Sequence, residues 1–294
     1  MIFAVNSRKK YQKTGKLIAY QGEPGAFSEL AARRAFGNNV SLLPCVSFAG
    51  VFEAVRRGRA RAGVVPVENT VFGPIHETRD LLARHRLAPI GEVTLRVRLC
   101  VLGLPGATMR SIRVIRSQPQ ALGQCGNFLG HLRQVRIEPA YDTAAAARLV
   151  GTENDPSVAC VAGRQAAAPY GLRVLKEGVE DDVRNFTRFL MVGRSSELVM
   201  RSRRRGATTL AVVSLPNTPG SLHRLLGVFA AEGIDLRAIT SRPQPGRPWE
   251  YVFHVDLAGS TEEPRLRRAL NAARSVCILV RVLGCHARGR TYQR

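Results

Sequence analysis

Acidic residues are scarce. The 294-residue chain has 22 Asp and Glu against 44 Lys and Arg, a formal net charge of +22. Such a balance, taken alone, points to nucleic acid or an anionic membrane surface. Its distribution argues otherwise. Residues 1–16, 194–206 and 284–294 together supply 12 of the 22 charges, and none has the apolar spacing of a packed element. They read as solvated tails and a linker, so neither a nucleic-acid nor a membrane partner is expected. Long apolar runs are missing too. No segment approaches the roughly 18–20 apolar residues of a membrane-spanning helix. The basic N-terminus lacks the apolar core of a secretory signal. The six cysteines form no C-x-x-C pair, and some sit in apolar runs such as Leu99-Cys100-Val101. That usage fits buried free thiols in a reducing compartment, here the cytoplasm. Cys and His are not clustered as zinc ligands would be. The Gly22/Gly25 turn lacks the Gly-Lys-Ser/Thr ending of a phosphate loop. What remains is 45% apolar and 22% charged, a folding composition of a length that suits two domains.

The periodicity supports this division. Lys16–Tyr20 is strand-like and meets a turn at Gln21–Gly25. A helix pattern then runs from Ser28 to Phe36 and stops at Gly37. Ser47 caps a second helix pattern ending at Gly58, and Ala62–Val67 is a buried strand. Further strand patterns lie at Leu99–Leu104, Ser111–Ile115 and Ser157–Ala162. Helices are predicted over Pro119–Leu132, from Asp142 to Val150 and from Gly163 to Ala168. Alternating strands and helices predict an α/β fold with mostly parallel sheets. Beyond a basic linker at 195–207 the grammar changes to βαββαβ in about 78 residues, the ferredoxin-like arrangement.

Several motifs then coincide: Ala19-Tyr20-Gln21-Gly22-Glu23-Pro24-Gly25-Ala26-Phe27-Ser28, Val65-Pro66-Val67-Glu68-Asn69-Thr70, Pro119-Gln120-Ala121-Leu122 with Gln124-Cys125, Asp142-Thr143, and Asn185-Phe186-Thr187-Arg188-Phe189. In this order they make residues 17–194 resemble prephenate dehydratase, and 208–286 resemble its appended ACT domain. The resemblance implies a two-lobed, periplasmic-binding-protein-like catalytic domain with the site between its lobes. Lobe 1 would hold about 17–98 plus 180–194, and lobe 2 about 99–179. It also implies decarboxylating dehydration of prephenate to phenylpyruvate, with arogenate dehydration as the alternative and a non-catalytic ligand sensor as a further one.

Prephenate carries two carboxylates and a ring hydroxyl, and loss of carbon dioxide and water makes the ring aromatic. The reaction asks for orientation and charge stabilisation and for no cofactor. By the resemblance, Thr187 is the catalytic contact to the departing hydroxyl. A threonine hydroxyl is too weak an acid to act alone, so a hydrogen-bond donor role is expected. Arg188 is expected to clamp a carboxylate with its planar fork. Phe189, Asn69, Thr70, Ser28, Ser117, Gln120, Gln124 and Thr143 complete the expected substrate site. Several of them fall at strand ends or helix starts, where anions are favoured.

In the second domain, Pro219, Gly220, Ser221 and Leu222 match the loop that holds phenylalanine as effector, and Ser241, Arg242 and Pro243 match a second motif. An effector site of this kind implies at least a homodimer or homotetramer. Three positions depart from the pattern: Thr240 stands for Glu, Gln118 for His and Thr70 for Ser. Gln118 leaves no titratable group at its position, and Thr240 leaves no carboxylate at the effector motif.

Overall fold

A computed structural model describes residues 17–293 except 86, 195–205, 245, 247 and 248. The expected N-terminal tail (1–16) and most of the linker lie outside the described residues.

Lobe 1 begins with β1 (Leu17–Gln21), α1 (Phe27–Phe36), β2 (Ser41–Cys45), α2 (Phe48–Arg56) and β3 (Ala62–Asn69). A two-residue β4 (Gly73–Pro74), α3 (His76–Arg84) and β5 (Leu87–Arg96) follow. The chain then enters lobe 2: β6 (Cys100–Gly103), β7 (Val114–Ser117), α4 (Pro119–Gly123), α5 (Gly126–Gly130), β8 (Arg136–Pro139), α6 (Thr143–Glu153), β9 (Val158–Ala162) and β10 (Arg173–Glu177). It returns to lobe 1 as β11 (Phe186–Arg194). Two crossings therefore join the lobes, and they are stitched together: Val97 N–H donates to Asn185 O at 2.8 Å and Val179 N–H to Leu99 O at 3.1 Å.

Local chemistry accounts for several boundaries. Ser47 Oγ accepts from Gly50 N–H at 3.1 Å to start α2, and an Asp142 carboxylate oxygen accepts from Ala145 N–H at 2.6 Å to start α6. The helix expected over Pro119–Leu132 is two short helices, because the chain tightens at Gln124–Cys125 between Gly123 and Gly126. The helix expected from Gly163 is a pair of 3₁₀ turns, the second carrying Pro169 near its start and ended by Gly171 at φ 67°.

The sheets are mixed rather than mostly parallel. Lobe 1 runs β5-β11-β3-β1-β2, and lobe 2 runs β10-β6-β9-β7-β8. β1, β2 and β3 are parallel, but β11 comes back from the other lobe and inserts antiparallel between β3 and β5. Helices cover both faces of the lobe 1 sheet: α2 packs Phe52 and Val55 against Val65 and Val192, while α1 packs Ala31 and Ala32 against Val64 and Phe189.

The second domain is β12 (Ala207–Ser214), α7 (Ser221–Ala231), β13 (Leu236–Pro243), β14 (Tyr251–Ala258), α8 (Pro264–Val276) and β15 (Leu279–Ala287). Its antiparallel order, β13-β14-β12-β15, is the expected ferredoxin-like one. One face carries α7 and α8 over Phe229, Val255 and Leu266. The other faces lobe 1, where Leu210 joins the core of α2 and α3.

The basic C-terminus is not a free tail. Residues 290–292 form β16, which pairs in parallel with β5 and extends the lobe 1 sheet. Tyr292 explains the docking: Arg34 lies 5.2 Å over its ring, and its hydroxyl donates to Arg34 O at 3.3 Å. Charge counting hid this strand, because Arg290 and Thr291 leave their side chains in solvent.

Candidate active site

Between the lobes lies a cavity of about 440 Å³. From lobe 1 it is lined by Ser28 of α1, Asn69 at the end of β3, and Thr187 and Phe189 of β11. Lobe 2 contributes Gln120 of α4, Gln124 at the cap that ends it, and Thr143 at the start of α6. These residues lie far apart in sequence, and β11 brings them together by returning to lobe 1.

The hydrogen bonds at Thr187 and Asn69 define its centre. The two residues are register partners across β3 and β11, and both are mostly buried. Asn69 Nδ2 donates to Thr187 Oγ1 at 2.9 Å and to Asn185 Oδ1 at 2.8 Å, while Asn69 Oδ1 accepts from Val71 and Phe72 N–H at 2.9 and 3.0 Å. The amide is thus locked in one orientation. It presents a donor to Thr187, which occupies an acceptor position of that hydroxyl and leaves its proton to point into the cleft. Asn185 stood in the sequence motif without an assigned role; its side chain holds Asn69.

Three expected substrate contacts are placed elsewhere. Arg188 is the largest correction. Side chains alternate along a strand, so with Thr187 and Phe189 turned into the cleft, Arg188 faces the opposite side. There its guanidinium bonds Asp256 of β14 at 2.5 Å and lies 3.1 Å from Glu68 and 3.6 Å from Glu92. Thr70 donates its hydroxyl to Arg184 O at 2.8 Å and accepts from Phe186 N–H at 2.9 Å, which pins the start of β11. Ser117 is fully buried and donates to Val161 O at 2.6 Å.

Consequently no cationic side chain lines the cleft among the described residues. Its polar wall is made of neutral donors: four glutamines (Gln21, Gln118, Gln120 and Gln124), Ser28, Thr143 and Thr187. Helix starts at α1 and α6 add backbone donors and the positive ends of two dipoles. Asp142 is the acid in this wall, and burial pushes its carboxyl above the usual range. Phe27, Phe48, Phe72 and Ile75 supply an apolar floor. In sequence they read as ordinary core residues. Only their position at strand and helix ends could have marked them.

In the second domain, Ser214 of β12 and Arg242 of β13 both pair with Val252, so the ends of these strands lie at the same end of the sheet. The Pro219–Leu222 turn therefore falls near Ser241–Pro243. Gly220 adopts φ 80° ahead of α7, a left-handed geometry that favours glycine. Arg242 reaches across to α3, bonding Asp80 at 2.8 Å.

A sequence model of the prephenate dehydratase family matches residues 18–197, more than half of the chain, and one of the ACT domain matches 209–275. The chain belongs to the prephenate dehydratase family. It is 40% identical over 283 residues to arogenate dehydratase/prephenate dehydratase 1, chloroplastic, of Arabidopsis thaliana, covering 92% of this chain and 71% of that protein. Among solved structures, it resembles prephenate dehydratase of Arthrobacter aurescens in complex with L-Phe, with TM-score 0.84 and 31% identity over 92% of this chain and 90% of that one. A structure described as GqqA, a novel type of quorum quenching acylases, is similar to the same degree: TM-score 0.85 and 32% identity, covering 93% and 98%. The second domain is thus an ACT domain. No described helix is long and apolar enough to cross a membrane.

Proposed function

We propose that this dehydratase converts prephenate to phenylpyruvate in the inter-lobe cleft, with Thr187 as the donor to the departing hydroxyl. The observation that carries this reading is the Asn69–Thr187 hydrogen bond, which aims a hydroxyl proton into a cavity walled by neutral anion-binding groups. In the elimination, the bond to the ring carboxylate breaks and carbon dioxide leaves. The electron pair moves into the ring as the C4–O bond breaks, and the departing hydroxide leaves as water. Thr187 donates to that oxygen as its charge develops, and the proton it passes is replaced from water. One such preorganised donor contributes about 10²–10³ in rate. Ser28, Thr143 and the glutamines hold the two carboxylates, and Phe189 packs on the ring. No cofactor enters the scheme.

A second substrate has one specific observation in its favour. Arogenate carries an ammonium where prephenate has a keto group, and Asp142 places a carboxyl in the cleft wall. The names of the plant relatives include both activities. L-phenylalanine is the proposed effector at the Pro219–Leu222 turn and Ser241–Pro243, in keeping with the L-Phe complex of the related bacterial enzyme. A dimer through the ACT domain is supported by exposed Leu222 and Leu226 on α7 and Ile239 on the edge strand β13. Cytoplasmic placement rests on six free cysteines; relatives named as chloroplastic occupy a compartment that keeps thiols reduced as well.

The test supplies prephenate and arogenate separately to purified protein and follows phenylpyruvate and phenylalanine. Turnover that falls at least 100-fold in Thr187→Ala supports the assignment, and the preferred substrate decides between the two readings. A folded wild-type protein that binds both and turns over neither would point to a ligand sensor instead.

A further inference from the structure

The strands that carry Asn69 and Thr187 have a second face, and the ACT domain holds it. Glu68 and Arg188 are register partners immediately beside the Asn69–Thr187 pair. Because side chains alternate, one pair faces the cleft and the other faces β14. Asp256 of β14 is fully buried, yet it is a carboxylate bonded by two guanidiniums. Arg188 reaches it at 2.5 Å, and Arg79 of α3 grips it at 2.9 and 3.3 Å. Burial alone would raise the Asp256 carboxyl; the two arginines hold it below the usual range.

The backbone at this point is irregular. Between Arg188 and Phe189 the register with β3 shifts from Glu68 to Pro66, which leaves Val67 as an extra residue in β3. Bulges of this kind re-aim neighbouring side chains. Thr187 therefore sits beside the point where β11 keeps its regular pairing with β5 but loses it with β3, and the next residue along is tied to the other domain. Glu92 completes the clamp. It lies 3.6 Å from Arg188 and accepts from Gly289 N–H, at the lead into β16, at 3.1 Å.

We propose that Asp256, an ACT-domain residue about one strand's thickness behind the cleft, is a positioning residue for the elimination: through Arg188 it fixes the segment of β11, opposite the β3 bulge, that presents Thr187. The same contact makes the ACT domain mechanically continuous with the reacting donor, so a shift of β14 is felt at Thr187 in the cleft wall. The inference rests on the reading that Thr187 acts in the cleft. Turnover by the wild-type protein tests that reading first and independently.

The experiment is a mutant cycle on the full-length protein, with kcat, KM and Tm measured for each variant. Asp256→Asn is expected to lower kcat about tenfold with KM within twofold, and Arg188→Gln to do the same. Asp256→Asn combined with Arg188→Gln is expected to be no slower than Arg188→Gln alone, because both break one link. Arg79→Gln is the control: it removes the other guanidinium from the same carboxylate, so it is expected to lower Tm while leaving kcat within twofold. Independent, multiplying kcat losses would overturn the proposal. So would a kcat loss in Arg79→Gln that matches Asp256→Asn at equal loss of Tm, since a structural role predicts that equality. If Asp256→Asn does not fold, Asp256→Glu keeps the charge on a longer arm: a lowered kcat at unchanged KM supports the proposal, and wild-type kcat overturns it.

Discussion

Replacing Asn69 by aspartate exchanges one amide nitrogen for an oxygen and should separate stability from activity. In the native site the amide nitrogen donates to Thr187 Oγ1, Asn185 Oδ1 and Phe186 O, and the amide oxygen accepts from Val71 and Phe72 N–H. Asn69→Asp keeps the acceptor side and strengthens it, since two backbone N–H groups would face a charged oxygen. The donor side is inverted: a carboxylate oxygen would confront three oxygens. Thr187 relieves the conflict by turning its hydroxyl to donate to the new carboxylate, and Asn185 can do so by turning its amide, whose Nδ2 has no partner in the native site. Phe186 O keeps Thr70 N–H at 2.9 Å, so the cost in stability is that of one weakened contact at Asn185, about 1–3 kcal/mol at most. The Thr187 proton would then point away from the departing oxygen. Loss of one transition-state donor amounts to about 2.7–4 kcal/mol, or 10²–10³ in kcat. The assay is phenylpyruvate formation at saturating prephenate for Asn69→Asp, Thr187→Val and the double variant, with Tm alongside. The expected result is a kcat loss of at least 100-fold in each single variant and no further loss in the double one, because both remove the same donor. Near-normal kcat in a folded Asn69→Asp protein would refute the argument that Asn69 aims the Thr187 hydroxyl.

Two further outcomes are expected. Gly25 has φ 89° and faces lobe 2, where an added Cβ would lie 2.6 Å from Ala166 Cα; Gly25→Ala should hold the lobes apart and raise KM about tenfold or more, with wild-type KM counting against the contact. Burial, aided by Arg79, holds the His254 imidazole at about 4. Between the unfolded value of about 6.5 and about 4, the unfolded chain takes a proton that the native one refuses. Stability should therefore fall on the order of 2–3 kcal/mol as pH drops through that window, and His254→Gln should flatten this part of a Tm–pH profile.

Much of the architecture was legible because it depends on local signals. Ser47 and Asp142 announce helices that begin where the caps predict, and the βαββαβ grammar after residue 207 gives the observed ferredoxin-like domain. Where sequence reading went astray, distant residues had decided the matter. β11 runs antiparallel because it returns from lobe 2, which no local pattern records. β16 packs through Tyr292 and Arg34, 258 residues apart. At the site, the motif residues named Thr187, Asn69, Gln120, Gln124, Ser28 and Thr143 as cleft candidates, and all of these line one cavity. Arg188 was misplaced although the alternation of a strand already sets it opposite Thr187.

The sequence by itself determined which segments fold into strands and helices, the division into a two-lobed domain and an ACT domain, and the chemical types available to the cleft. The elements follow from spacing and caps, which act over a few residues; the two-lobed and ACT division and the cleft's residue types follow from the motifs' resemblance to the family. Only the tertiary structure decided which face of each strand meets the cleft and which meets the neighbouring domain. That choice left the cleft walled by neutral donors and put the Arg188 guanidinium, whose charge is too costly to bury alone, against the Asp256 carboxylate. A register and a returning strand set both results, and such pairings exist only once residues 68 to 118 positions apart have met.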